Sequence, residues 1–250
     1  MNAAKISNYF EISKEIKKKI MIFKDFEHIL SQERLQRYVN ACNNDTRKAM
    51  MLYRLNLRLS QEMFTLISCF EVALRNAVDK NLSTSLGVDW LRDSVLPGGR
   101  FQDIRAIGTT CRIINDVYLK LLHDGTYTHS HLLSNMEFGI WKYMFSNPQY
   151  RATGRTLLNI FPNRPKSSAL LQYNNTYIFN ELDKINSLRN RIAHHEPICF
   201  QINNDTISTY HVFQQYQRIQ MLFSWMNIDS RALMYGLDHV QSVCDCINKL

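Results

Sequence analysis

Eight consecutive residues of this chain bring together side chains that can hold a phosphate and move a proton. The segment from Arg189 to Glu196 contains two arginines, an asparagine, two adjacent histidines and a glutamate. Arginine binds a phosphate through two parallel donors, and histidine exchanges protons near neutral pH. These side chains suit phosphoryl chemistry on RNA, where the ribose 2′-OH is available as a nucleophile and no metal is required.

The spacing within this segment matches the period of an α-helix. Asn190 and His194 share one helical face, and Arg191 and His195 share the neighbouring face. Arg189 and His194 are five residues apart, about 7.5 Å along the axis and roughly 140° around it. The two side chains are too far apart to touch, but both can reach one phosphodiester that lies across the helix end.

The residues before the segment predict the helix that carries it. Residues 174–176 can cap a helix start, and Pro197 disfavours helical geometry at Glu196, so we expect the helix to end near His195 or Glu196. An ordinary solvated helix end is the simpler alternative, because basic residues in a last turn complement the macrodipole. The apolar residues at helical spacing are Ile178, Leu182, Ile185 and Ile192.

The longest predicted helix begins after Asp45, runs to about Ser85 and is terminated by Gly87. Its apolar residues keep a spacing of three or four, which is typical of a helix that spans the core of a bundle. Glu71 and Arg75 lie at the edge of that apolar stripe. They form either an ordinary salt bridge or a support that orients the end of the Arg189–His194 helix.

Other predicted elements surround these two helices. A helix over residues 5–24 carries the triplet Lys17–Lys19, and another helix covers residues 103–123. Ser134 and Glu137 form the pattern of a capping box at the start of a helix that contains Trp141. We expect His129 and His131 to be polar surface residues on a loop, because no carboxylate or cysteine follows at a metal-binding spacing.

A basic, proline-rich region covers residues 148–166. It is either an RNA-contact surface or a solvated connection, and the sequence leaves both readings open. Its basic residues are Arg151, Arg155, Arg164 and Lys166.

The composition indicates one large, basic domain over residues 1–250. The hydrophobic content of 45% is ordinary for a globular protein, and the net charge of +8 favours an anionic partner such as nucleic acid. The six cysteines form no C-x-x-C pair and no zinc spacing, so we expect a reducing cytoplasm, no metal and no cofactor. The sequence has no apolar run of transmembrane length, which predicts a cytoplasmic protein without membrane contact.

Three segments resemble one protein family. The residues from Arg189 to His194 are similar to the Arg-polar-x-x-x-His motif of the HEPN superfamily, and Leu188 to Ile198 closely resembles the Abi-like (abortive infection) proteins of bacteria. Residues 70–77 and 136–141 are similar to further blocks of that family. The resemblance covers roughly residues 25 to 227 and implies an all-α, HEPN-like helical bundle with additional N-terminal and peripheral helices.

The resemblance also implies roles for the motif. His194 would transfer the proton at the 2′-OH or at the leaving 5′-oxygen, Arg189 would hold the scissile phosphate, and Asn190 would orient His194 or the phosphate. His195 either pairs with Glu196 or acts as a second catalytic group. We expect Arg191 to contact the RNA. The supporting residues are Glu71, Arg75, His195 and Glu196.

The resemblance implies the first two of three possible functions, and the residues alone leave the third open. The first is a metal-independent endoribonuclease of antiphage defence that works as a homodimer, is held in check by an antitoxin or a trigger, and leaves a 2′,3′-cyclic phosphate. The second is a non-cleaving RNA-binding defence protein that holds a small structured RNA. The third is a helical scaffold for another protein, in which the basic helix end is incidental.

Overall fold

The computed structural model describes residues 21–102 and 104–250, and within them the fold is all-α, as the sequence predicts. This part of the chain contains twelve α-helices, two 3₁₀-helices and no strand. The predicted helix over residues 5–24, with its lysine triplet, lies largely outside the described residues. None of the helices in the described part combines the length and the apolar character that a membrane-spanning helix needs.

The first two helices lead into the longest one. They are α1 (Phe23–Leu30) and α2 (Gln32–Ala41), and both pack against α3 (Thr46–Leu86). The Asp45 side chain caps α3 by accepting hydrogen bonds from two backbone N–H groups, and Gly87 ends it at a φ of +99°. The capping prediction for this helix is therefore confirmed. Its 41 residues rise about 60 Å, so α3 is long enough for most of the other helices to pack along it.

Short helices form the middle of the chain. They are α4 (Trp90–Asp93), α5 (Gly108–His123), α6 (His129–Ser134), α7 (Phe138–Tyr143) and α8 (Asn147–Ala152), with 3₁₀-helices at Arg105–Ile107 and Leu157–Ile160.

The predicted capping box at the start of α7 is wrong. Ser134 is the last residue of α6, and its hydroxyl donates to the carbonyl of His131. Glu137 does occupy the N-cap position of α7, but its side chain makes no capping hydrogen bond. Ser134 therefore belongs to the six-residue helix α6, although the sequence pattern assigned it to the start of α7.

His129 is not the polar surface residue that its neighbours suggested. It begins α6, and its side chain is only 12% exposed. Its Nε2 lies 2.7 Å from Oδ1 of Asp79, and the indole of Trp90 donates to the same oxygen at 2.9 Å. These contacts join α6 and α4 to the C-terminal half of α3.

The remaining helices complete the bundle. They are α9 (Asn175–Ala193), α10 (Tyr210–Trp225), α11 (Ser230–Leu233) and α12 (Val240–Asn248). The motif helix α9 packs against α3, α7 and α10. Phe223 of α10 meets Phe70 of α3 edge to face at 5.2 Å, so this aromatic side chain belongs to the core. The buried face of α9 contains Ile178, Leu182, Ile185, Leu188 and Ile192.

Candidate functional site

The motif helix α9 ends slightly earlier than its sequence predicts. The Asn174 side chain caps its start, and Ala193 is its last helical residue. His194 is the C-cap, with its N–H bonded to the Asn190 carbonyl at 2.9 Å. His195 then adopts a left-handed φ of +57°, which turns the chain sharply out of the helix. Both histidine side chains are exposed at this turn.

An arginine from α2 holds this turn. Arg34 donates through Nη2 to the His195 carbonyl at 2.5 Å and through Nε to the Tyr53 hydroxyl at 3.2 Å. A left-handed conformation costs a residue other than glycine about 1 kcal/mol or more, and it persists where the surroundings impose it. The hydrogen bond from Arg34 is one such constraint on His195.

A buried asparagine fixes the chain just beyond the turn. Asn56 of α3 is 4% exposed, and its Oδ1 accepts the N–H of Ile198 at 2.8 Å and that of Cys199 at 3.2 Å. Both backbone groups belong to fully buried residues. Asn56 therefore supplies the partner that these N–H groups need, because no helix continues there to supply one.

Arg191 is occupied within its own segment. Its Nε lies 3.2 Å from a carboxylate oxygen of Glu196, and its Nη2 donates to the Pro197 carbonyl at 2.7 Å. The ion-pair partner of Glu196 is thus Arg191, whereas the His195 side chain makes no hydrogen bond among the described residues. The predicted RNA contact of Arg191 stays a prediction, and its side chain is 24% exposed.

Arg189 lies on the other side of α9, about 200° around the axis from Arg191. It is half-buried and makes no ion pair within the described part of the chain. Burial raises the pKa of Glu71 on α3, Arg189 and Arg75 lower it, and Glu137 raises it further. Glu71 is therefore within electrostatic reach of Arg189, Arg75 and Glu137, and the supporting role predicted for Glu71 and Arg75 stays a prediction.

His211 belongs to α10 and lies near the Arg191 side of α9. Its pKa is lowered, first by burial and then by the charges of Arg191 and Arg218. Asn190 and His194 occupy the sector between the two arginine sides, and both are exposed. Neither side chain makes a hydrogen bond within the described ranges. The end of α9 thus presents a free imidazole and a free amide between a guanidinium on one side and an ion pair on the other.

The basic loop region lies at the opposite end of α9. Asn175, the first residue of α9, donates to the Phe145 carbonyl at 3.0 Å and to Oδ1 of Asn147 at 2.8 Å, which joins it to the start of α8. The 19 residues of α9 rise about 28 Å. These loop residues therefore cannot contact the same phosphate as Arg189 and His194. Arg151, Arg155 and Lys166 are exposed, and Arg164 is half-buried with a donor bonded to the Leu158 carbonyl at 2.8 Å.

No metal centre accompanies the motif in the described residues. Histidine, cysteine and acidic side chains there do not gather in groups of three or more, as a metal ion needs. His129 and His131 do not share a ligand: the His129 ring bonds Asp79, and the His131 ring bonds the Thr126 carbonyl at 2.6 Å.

The sequence missed four residues of this site. Arg34 and Asn56 are 161 and 142 residues away from their partners, and no local pattern announces such contacts. His211 likewise gives no signal outside the tertiary structure. Glu137 did have a signal, because it lies in one of the three resembling segments, but the sequence assigned it only a capping role.

The described fold is all-α, and one helix end carries exposed asparagine and histidine side chains beside a half-buried arginine. The family model described as Abi-like protein matches residues 5–199, more than three quarters of the chain. The chain therefore belongs to the Abi-like protein family, which supports a role in abortive-infection defence. The match includes every predicted site residue and ends before α10, earlier than the expected 227. Comparisons with curated proteins and with solved structures give no significant match.

Proposed function

We propose that this protein is a metal-independent endoribonuclease of the HEPN type that acts in abortive-infection defence. One observation supports the proposal above the others. The exposed His194 imidazole stands without an intramolecular partner among the described residues, on a backbone turn that is held from other helices. A proton-transfer group needs a free imidazole on a rigid support, because the geometry of the reaction must be set before the substrate arrives.

The reaction assigns one task to each side chain. Arg189 binds the scissile phosphate and stabilises the charge that develops on its oxygens, and Asn190 donates to the same phosphate. His194 removes the proton from the 2′-OH, O2′ attacks phosphorus, and the bond from phosphorus to O5′ breaks. The products are a 2′,3′-cyclic phosphate and a free 5′-OH. A second acid protonates the leaving O5′, and in the proposed homodimer the same histidine of the second copy supplies that proton.

An exposed apolar stripe on α3 supports the homodimer. Leu57, Phe64 and Val72 are 49%, 47% and 44% exposed, although all three are large and apolar. They share one face of the helix, and Arg75 continues that face five turns after Leu57. Several exposed apolar residues on one helix face are consistent with a contact surface. A second copy that covers this stripe would bring its own motif towards the Glu71 and Arg75 edge.

A non-cleaving RNA-binding role is the second candidate, and the basic loop favours it. Arg151, Arg155 and Lys166 add exposed cationic side chains near the far end of α9. At about 3.4 Å per nucleotide of a stacked strand, the length of α9 corresponds to roughly eight nucleotides. A surface of this length suits a bound structured RNA, and it adds affinity whether or not the motif cuts.

A cleavage assay on histidine variants tests the proposal. The wild type, His194→Ala and the control His123→Ala are incubated with labelled single-stranded RNA in EDTA, and the product ends are analysed. His123 is a suitable control because its side chain is 89% exposed and lies at the end of α5. We expect cutting by the wild type and His123→Ala that is lost in His194→Ala. Salt-sensitive binding without cutting would favour the second candidate, and undiminished cutting by His194→Ala would remove His194 from the mechanism.

A further inference from the structure

A cavity of about 550 Å³ lies between α5 and the segment formed by α7 and α8. Its volume is in the range of small-molecule sites. The floor contains a hydrogen bond from buried Gln149 to the Thr110 hydroxyl at 2.9 Å. Ile113 and Ile140 provide apolar walls, and Tyr143 contributes an aromatic ring that is 44% exposed.

Glu137 connects this cavity to the candidate site. Glu137 lines the cavity, and it adjoins Phe138, whose ring lies 6.4 Å from that of Phe70, the neighbour of Glu71 on α3. Within the described part of the chain Glu137 makes no ion pair and no side-chain hydrogen bond. Glu137 therefore gives the cavity an acceptor without an intramolecular partner in the described residues, on a helix start that packs beside the Phe70 and Glu71 segment of α3.

The chemistry of this cavity selects one kind of RNA base. Apolar and aromatic walls stack on a base, and a carboxylate accepts from two neighbouring N–H groups. Guanine presents such a pair, N1–H beside the N2 amino group. Adenine and cytosine place a ring-nitrogen acceptor beside their amino group, and uracil places a carbonyl on each side of N3–H, so each of these sets an acceptor against the carboxylate.

We propose that this cavity binds a guanine base next to the scissile phosphate, with Glu137 accepting its N1–H and N2–H. The inference rests on the proposed function and extends it by naming the base that the enzyme prefers. The proposal also gives Glu137 a role, because its side chain makes no capping hydrogen bond to the N–H groups of α7.

Binding of short RNAs to the full-length protein tests the inference. Fluorescence anisotropy is measured with uridine-rich 12-mers that carry one central guanine, inosine or adenine. We expect the guanine RNA to bind about fivefold or more tightly than the adenine RNA, with inosine between them because it lacks the N2 amino group. Glu137→Gln should reduce that ratio to below about twofold. Asp116→Asn, an exposed acid on α5 that pairs with Arg112, should retain it.

A second variant blocks the cavity without removing the carboxylate. Gly139 lines the cavity, and a Cβ added there meets nothing within 4 Å. Gly139→Leu should therefore fold, fill the cavity and abolish the guanine preference, whereas the smaller Gly139→Ala should keep most of it. Circular dichroism confirms that each variant is folded.

The outcomes separate this inference from the proposed function. Equal binding of the three RNAs by the wild type would overturn the guanine assignment while leaving RNA cleavage intact. A guanine preference that survives both Glu137→Gln and Gly139→Leu would place the base elsewhere. A failure to bind or cut any RNA would overturn the proposed function, and the guanine site with it.

Discussion

Replacing Asn56 with alanine should destabilise the protein more than most surface changes, because one side-chain oxygen satisfies two buried backbone donors. The N–H groups of Ile198 and Cys199 would lose their partner in residues that are 1% and 0% exposed. Leaving a buried donor unsatisfied costs about 1–3 kcal/mol. Two such donors, partly relieved by water in the space that the side chain vacates, give an expected loss of about 2–4 kcal/mol.

Urea unfolding followed by circular dichroism measures this loss as a change in the free energy of unfolding. Asn76→Ala is the matched control, because Asn76 lies on the same helix, is exposed and makes no side-chain hydrogen bond among the described residues. It should change the free energy of unfolding by no more than about 0.5 kcal/mol. For a protein of this size the Asn56 variant should melt about 4–16 °C lower than the wild type.

The reasoning fails if Asn56→Ala and Asn76→Ala unfold at the same urea concentration with the same slope. That result would mean that the segment after Pro197 finds other partners or does not depend on α3. A second readout bears on the site, because Asn56 fixes the chain three residues after His195. RNA cleavage by Asn56→Ala, measured well below its melting temperature, should be slower than that of the control.

Two further predictions concern Glu71 and Arg34. Burial raises the folded pKa of Glu71 above its ordinary value of 4.5, so its contribution to stability is present below pH 4.5 and is lost as pH rises through the folded pKa. Urea unfolding from pH 4 to pH 8 should therefore show the wild type losing stability relative to Glu71→Gln, and a difference that is constant or of opposite trend would contradict the assignment. Arg34→Ala removes the hydrogen bonds to the His195 carbonyl and the Tyr53 hydroxyl, and it should cost about 1–3 kcal/mol and slow RNA cleavage. Arg47→Ala, at an exposed position of α3, is its control, and equal cleavage by both variants would contradict a positioning role for Arg34.

The parts of the fold that follow from neighbouring residues were predictable. Asp45 and Gly87 bound α3 because a carboxylate caps a helix start and glycine tolerates a positive φ at its end. Asn174 caps α9 for the same kind of local reason. The Ser134 and Glu137 pattern gave a wrong prediction, because these four residues are compatible both with the end of one helix and with the start of the next. A capping pattern covers only four residues, so it carries no information about a short helix that ends just before them.

The support of the site was not predictable, because it comes from distant parts of the chain. Arg34 and Asn56 are polar residues in helices whose sequences give no sign of a partner. The sequence does contain the pair Arg191 and Glu196, but their charges alone did not decide between an RNA contact and an internal ion pair. The sharp turn at His195 forms the ion pair, since this turn brings Glu196 back towards the last turn of α9, while the RNA contact stays a prediction.

The ion pair between Arg191 and Glu196 also changes what the motif can hold. Without it, two unpaired guanidinium groups would flank His194, and a phosphate could bind on either side of the imidazole. With Arg191 paired to a carboxylate, Arg189 is the motif guanidinium that remains unpaired in the described structure, and it lies on the side of Glu71 and Glu137. A phosphate that Arg189 binds would then approach His194 from this side. The ion pair therefore leaves one side of His194 open to the proposed phosphate, whereas two free arginines would offer a phosphate both sides.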